Sequence, residues 1–463
     1  MLRNIFITKN SFSILISVFI LLLISGLVFC KAVNYKTVMV EDLLFSSKYY
    51  EQFQDKSIIK KIFTTSVYFD KVKYLYRPVF IFSFYIDSKI SSGKVNLKVN
   101  HITSLLLHLF CVLMFFYFLI KYCDFKPYLA LIGSLFFSIN IFSVWSAVWL
   151  SGRCDLLLFF FAFLAFILFI KSNETENVLL KNIFLILHFV LFLLALLSKE
   201  TAVVLPAVCL MFVYVKGYKL RLSYLCYILI YTLYSMMYSN DVNIVKQFIG
   251  LFDIKNIFYM ICDYLSAPFF YLSGPKVVSP YNSLTLFEGI IVILFFVVAV
   301  KNSKEKKIIL FYLLFASLFF LPTILGKRIS FQGNRMYLPM AGLIIAVLYI
   351  IDEFYKKNIN NIKTKICTIF LMVFITANIV VTNNAMAFAY DDDSIIKVIF
   401  DESKTYPKSN GEIMSLMYFL IGYYNSYGYS EQAKNIKNKF FEYSFIDYKN
   451  NKQFSDAGGG GGN

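Results

Sequence analysis

The chain has 463 residues, 59% of them hydrophobic and 19% aromatic, with a mean hydropathy of +0.66. So apolar a composition over this length excludes an ordinary soluble domain and predicts an all-α polytopic membrane protein embedded in a lipid bilayer. The net charge of +17 does not indicate nucleic acid, because the basic residues fall in short clusters between apolar runs, where they act as topology signals.

The first apolar run, 11–30 ("SFSILISVFILLLISGLVFC"), has the length of a span rather than of a signal-peptide core. Bulky Phe29 also stands where a cleavage site needs a small side chain, so the run reads as a retained span. A long loop, 31–101, follows it and places Glu41 and Asp42 side by side. Within it, "KYYEQFQDKSIIKKIFTTSVYFD" alternates as a surface-lying amphipathic helix would, although a solvated helix has the same pattern. Further runs of span length lie near 102–120, 127–146, 154–170, 182–198, 201–215, 222–239, 284–300, 308–325, 336–351 and 366–383, which makes eleven. The stretch 251–272, interrupted by Asp253, Lys255, Asp263 and Pro268, is expected to be an interfacial or re-entrant hairpin.

Charge orients these runs. With Arg3 and Lys9 in the cytoplasm, the cytoplasmic loops are "KYCDFK", "KSNETENVLLK", "VKGYKLR", "KNSKEKK" and "DEFYKKNINNIKTK", and each carries at least two Lys or Arg. The pattern survives only if 251–272 does not cross, and it leaves the C-terminus outside. Domain boundaries follow: a membrane domain over 1–385, a soluble helical segment over 386–450 and a flexible Gly-rich tail over 451–463. Composition and the absence of a retrieval signal favour a bacterial inner membrane over the endoplasmic reticulum. Eight cysteines scattered singly, with no C-x-x-C pair, specify neither a disulfide framework nor a zinc site.

The spans are almost free of charge. His108 and His188 are the ionisable groups well inside, and a lone histidine in a bundle is ordinarily a structural donor. Charges gather instead at the outer ends: Glu41 and Asp42, Arg77 and Asp87, His101, Arg153 and Asp155, Lys199 and Glu200, and Lys327, Arg328 and Arg335. Any one of these would ordinarily be an interfacial anchor. As a set on one face, the cations suit a phosphate and the acids suit proton transfer from a hydroxyl. Arg153, Lys199 and Arg335 also stand on the side where the positive-inside rule depletes cations.

The blocks "YRPVFIFSFYIDSKI", "KVNHITSLLLHLF", "VWSAVWLSGRCDLL", "LALLSKETAVVLPAV" and "RMYLPMAGL", in this order over roughly 35–350, resemble the tetratricopeptide-containing transmembrane O-mannosyltransferases and their bacterial relatives. The resemblance implies a GT-C glycosyltransferase bundle with its active site on the non-cytoplasmic face. It further implies a polyprenyl- or dolichyl-phosphate sugar as donor and a hydroxyl on a protein or glycan as acceptor. Glu41-Asp42 takes the place of the family's Asp-Asp, which leaves open which carboxylate is the base, and Ser104 stands where the family often has Asn. By the same resemblance Arg77, Arg153, Lys199 and Arg335 bind the donor phosphate, with His101, His108, Asp155, Glu200 and Tyr337 in support. "YFLIGYYNSYGYSEQAKNIKNKFF" resembles one tetratricopeptide helix pair, too little to form an array. No cofactor is specified; a divalent cation beside Glu41 and Asp42 is left open, since two adjacent carboxylates are too few ligands to define one. The rival readings are a flippase or transporter of lipid-linked sugars and an oligosaccharide ligase or polymerase. A transporter should show broken helices or mid-membrane charge and internal repeats, and none is visible in the sequence.

Overall fold

A computed structural model of the chain describes residues 9–35, 49–67, 69, 75–93, 96–238, 254–270, 283–325, 333–358, 362–388, 434 and 438. Glu41, Asp42, Lys327, Arg328, nearly all of 386–450, the stretch expected to form a soluble segment, and 451–463 lie outside these residues.

Within them every regular element is a helix. In chain order the α-helices are α1 (Lys9–Phe29), α2 (Tyr49–Phe53), α3 (Ile58–Thr64), α4 (Pro78–Ile90), α5 (Leu97–Lys121), α6 (Pro127–Ser138), α7 (Ile141–Ala147) and α8 (Arg153–Glu174). They continue with α9 (Val178–Ser198), α10 (Leu205–Lys216), α11 (Cys226–Tyr238), α12 (Ile254–Phe270), α13 (Ser283–Asn302), α14 (Lys306–Leu325), α15 (Tyr337–Lys357) and α16 (Ile362–Phe388). Short 3-10 turns at Cys30–Asn34, Leu150–Gly152, Glu200–Val204 and Gly333–Met336 join several of them.

Local sequence accounts for many of the boundaries. Asn96, Asn140 and Asn177 cap α5, α7 and α9 by accepting from backbone N–H groups of the first turn. Proline opens α4 and α6, where its missing N–H has no helical partner to lose. Gly217, at φ +67°, closes α10 with bonds back to Val213 and Tyr214.

Seven described helices are long and apolar enough to cross a bilayer, or eight if the bent pair α6–α7 is one span. The protein is therefore an α-helical, multi-pass integral membrane protein. Its outer surface carries exposed Phe19, Leu27, Phe110, Ile186, Leu294 and Phe370, while an aromatic core of Phe115, Phe137, Phe159, Phe163 and Tyr337 joins α5, α6, α8 and α15.

Three expectations change. The run 127–146 is not one straight helix: α6 and α7 meet at 61°. No proline or glycine marks the bend. Side chains satisfy the freed backbone there, with Asn140 Oδ1 accepting from Phe142 N at 3.0 Å and Ser143 Oγ donating to Phe137 O at 2.7 Å. The stretch 254–270 is one helix rather than a hairpin, since nothing in "IKNIFYMICDYLSAPFF" breaks it before Pro268. It packs near the C-terminal end of α14, where Tyr264 stacks on Phe320 at 4.0 Å, and near the start of α13, where Gly289 meets Cys262. The amphipathic segment after residue 48 is two short helices, α2 and α3, split by a turn in which Asp55 accepts from Ser57 N. Their apolar side, Tyr49, Phe53, Ile58 and Ile62, clusters with Phe80, Ile81 and Phe84 of α4.

Candidate functional site

The charged residues converge at one end of the bundle, in two adjoining groups. The first centres on Arg153, the opening residue of α8, whose side chain is fully buried. Its Nη1 donates to Asp87 Oδ2 at 2.7 Å, Nε to Ser104 Oγ at 2.9 Å and Nη2 to the carbonyl of Asn100 at 2.5 Å. The Phe84 ring lies 3.9 Å from the guanidinium carbon. One cation thus ties together α4, α5 and α8. A charge this deep is tolerated because a carboxylate, a carbonyl and a hydroxyl occupy its donors.

The second group lies at the 3-10 turn after α9. Lys199 sits in extended backbone at φ −160° and ψ 134°. In such backbone successive side chains point to opposite sides, so the neighbours Lys199 and Glu200 do not pair with each other. Lys199 Nζ bonds Asp155 Oδ1, in α8. Glu200 instead takes the fork of Arg77, with Nε to Oε2 at 2.9 Å and Nη2 to Oε1 at 2.7 Å. Asp155 Oδ2 accepts in turn from Asn334 Nδ2 at 2.9 Å, which ties in the turn before α15. Burial alone would push the Glu200 carboxyl up. The Arg77 charge and its two bonds, with Lys199 behind, outweigh it and hold the group at about 2. Glu200 keeps 41% of its side chain exposed, so solvent screens what this pair contributes to stability.

Between these partners lies a small cleft bordered by Asp155, Lys199, Thr201, Thr323, Arg335 and Leu338, with a free volume of about 10 Å³. That is room for one water molecule. Arg335, half-buried, reaches it from the turn Gly333–Met336. Backbone approaches Gly152 so closely that a Cβ there would lie 2.1 Å from Trp145 O, and a Cβ on Gly333 would lie 2.6 Å from the side-chain atom Trp145 Cδ1.

The histidines separate by environment. His188 bonds Ala165 O at 2.8 Å and Tyr227 Oη at 2.6 Å, a satisfied structural pair. His108 joins a buried chain, with Nδ1 2.7 Å from Tyr337 Oη and Nε2 3.4 Å from Ser138 Oγ, while Ser138 donates to Ser25 Oγ at 2.6 Å. His101 is fully buried beside Tyr35, with ring centroids 6.5 Å apart, and among the described residues its ring nitrogens make no hydrogen bond of good geometry.

Of the residues expected from sequence, Asp155, Lys199 and Arg335 border this cleft, and Arg77 pairs with Glu200, the chain neighbour of Lys199, without lining it. Arg153 lies behind it, not on its wall, with its donors committed to Asp87, Ser104 and Asn100. Tyr337 and His108 sit deeper, bonded to each other. Glu41 and Asp42 are outside the described residues. Sequence reasoning missed Asn334, Ser83, Asn100 and Thr323. The only signal for Asn334 was its place beside Arg335 in "GNRMYLP". Among the described residues no three His, Cys, Asp or Glu side chains gather as ligands for a metal ion. Comparison with protein-family models, curated proteins and solved structures finds no match.

Proposed function

We propose that the protein is a membrane glycosyltransferase of GT-C type, moving a hexose such as mannose from a polyprenyl- or dolichyl-phosphate to a hydroxyl acceptor on the non-cytoplasmic face. The observation that carries this reading is the convergence of Arg77, Asp155, Lys199, Glu200, Asn334 and Arg335 at one end of an otherwise apolar bundle. Two cations held by carboxylates beside a third on the cleft wall make a preorganised positive mouth. Such a mouth stabilises the charge that grows on a departing phosphate, at a few kcal/mol per well-placed donor.

In the proposed step the acceptor oxygen attacks the anomeric carbon and its proton passes to Glu41 or Asp42. The bond from the anomeric carbon to the phosphate oxygen breaks with inversion, and the lipid phosphate keeps the electron pair. Because the cleft admits one water, the phosphate binds at its mouth, against Arg335, with Lys199 on the same cleft wall and Arg77 in the adjoining pair with Glu200. Arg153 acts as a positioning residue rather than as a phosphate ligand. Eleven crossings, a cytoplasmic N-terminus and α12 lying at the outer interface complete the proposed topology, and a bacterial inner membrane is the proposed location.

The test is transfer from a radiolabelled polyprenyl-phosphate sugar by purified protein. Changing Glu41 and Asp42 together to Ala should lower the rate by about 10²–10⁴, and Arg335→Gln should lower it without unfolding the bundle. Undiminished transfer by the double mutant would remove the catalytic assignment.

The bend between α6 and α7 favours a second reading, a carrier of lipid-linked sugars, since transporters build their sites at broken helices. Transfer in detergent, where there is no second compartment, distinguishes the enzyme from the carrier.

A further inference from the structure

A second concavity lies away from the charged cleft and is walled by different elements. It is a groove of about 210 Å³ between the C-terminal half of α1 with its 3-10 turn and the first half of α5, bordered by Gly26, Phe29, Val33, Ile102, Leu106 and His108. The wall on α5, residues 102–109, begins five residues into the helix and ends twelve residues in, about 8–18 Å from its start at 1.5 Å per residue. Among the described residues nothing outside α1's own backbone lies within 4 Å of where a Cβ on Gly26 would be, so the mouth is open there. Ile102 and Leu106 on the rim are 38% and 51% exposed, while Phe29 and His108 deeper in are buried.

From these features we infer that the groove seats one acyl chain of a bilayer phospholipid, wedged beneath the turn Cys30–Asn34. Both walls belong to helices long and apolar enough to cross the membrane, so what reaches the open side is bilayer hydrocarbon. The volume exceeds that of an apolar protein cavity known to bind benzene, about 150 Å³, which leaves room for a short length of chain. Among the described residues no charged one borders the groove, whereas the cations that suit a sugar-carrying lipid phosphate border the other cleft. The occupant is therefore selected by its chain and drawn from the bulk lipid, and the site stands independently of the glycosyltransferase reading. A chain seated there packs under the turn that ends at Tyr35, whose hydroxyl donates to Met386 O at 2.9 Å and whose ring abuts His101. Bilayer lipid thereby braces the chain at Tyr35, six positions before Glu41.

The experiment places the full-length protein in nanodiscs of phosphatidylcholine bearing a diazirine on one acyl chain, followed by irradiation and peptide mapping. Adducts on 22–34 and 102–109 should exceed those on the equally apolar outer face of α9 by about tenfold, one decade of site preference. Gly26→Phe, which fills the mouth, should bring the groove down to the α9 level and leave α9 unchanged. Ile102→Trp does the same from the opposite wall and serves if the first variant does not elute as a single species. Equal labelling of groove and α9, or groove labelling untouched by the fillings, would overturn the inference. Displacement of the groove adducts by an equal mole fraction of polyprenyl phosphate would reassign the site to that lipid.

Discussion

Arg153 carries more of the architecture than any other polar side chain in the described residues, and the reason is its surroundings. A guanidinium at zero exposure is stable only while Asp87 neutralises it and Asn100 and Ser104 take its remaining donors. Removing the carboxylate leaves an uncompensated buried charge, which costs about 3–5 kcal/mol. Asp87→Ala should therefore lower the stability of the detergent-solubilised protein by that order in a denaturant titration. Replacing both partners by apolar groups, Asp87→Leu with Arg153→Met, should recover most of the loss, since a buried ion pair contributes little over well-packed hydrophobes. A double variant as unstable as Asp87→Ala would mean that Arg153 is held for another reason. The sequence made Arg153 and Asp87 visible as outer-end charges, but not their pairing. Adjacent Lys199 and Glu200 read as one local pair, yet extended backbone sends them to Asp155 and Arg77.

At the scale of elements, the short pieces at this end of the bundle deserve as much weight as the long helices. The bend between α6 and α7 swings α7 against the turns Leu150–Gly152 and Gly333–Met336, which present Arg153, Asp155, Asn334 and Arg335. Close backbone contact at Gly152 holds that layer together. Gly152→Ala drives its methyl into the Trp145 carbonyl at 2.1 Å and into Ser146 Cα at 2.8 Å, so main chain must move. The expected loss is about 1–3 kcal/mol, as for other overpacked sites. Gly333→Ala meets a side-chain atom that can swing and should lose less. The thermal transitions of the two variants check this, and a larger loss at Gly333 would contradict it. The run 127–146 was legible in the sequence as an apolar stretch of span length. The bend was not, because neither Pro nor Gly announces it and its bonds are made by Asn140, Ser143 and Thr382, the last reaching from α16 to Ile139 O.

For the whole molecule, the proposed function depends on sidedness. In the proposed topology the turn between α8 and α9 faces the cytoplasm by its lysines, and the end of α4 faces the opposite side. With Cys30 replaced by Ser, Lys89→Cys should react with an impermeant maleimide in intact cells, and Glu176→Cys only after the membrane is opened. Both positions are exposed in the fold. Reaction of both from one side would dismantle the common outer face.

Apolar content and run length by themselves determined that this chain is a helical membrane protein and where most of its long helices run. The physical reason is that hydrocarbon forces backbone hydrogen bonds to close within each segment. Tertiary structure alone decided which charges meet, since Arg77 and Glu200 lie 123 positions apart and Asp155 and Asn334 lie 179 apart. It also decided that Arg153 is buried while Arg335 borders a cleft. Such partnerships are set by the packing of elements distant in the chain, and no local pattern of residues encodes them.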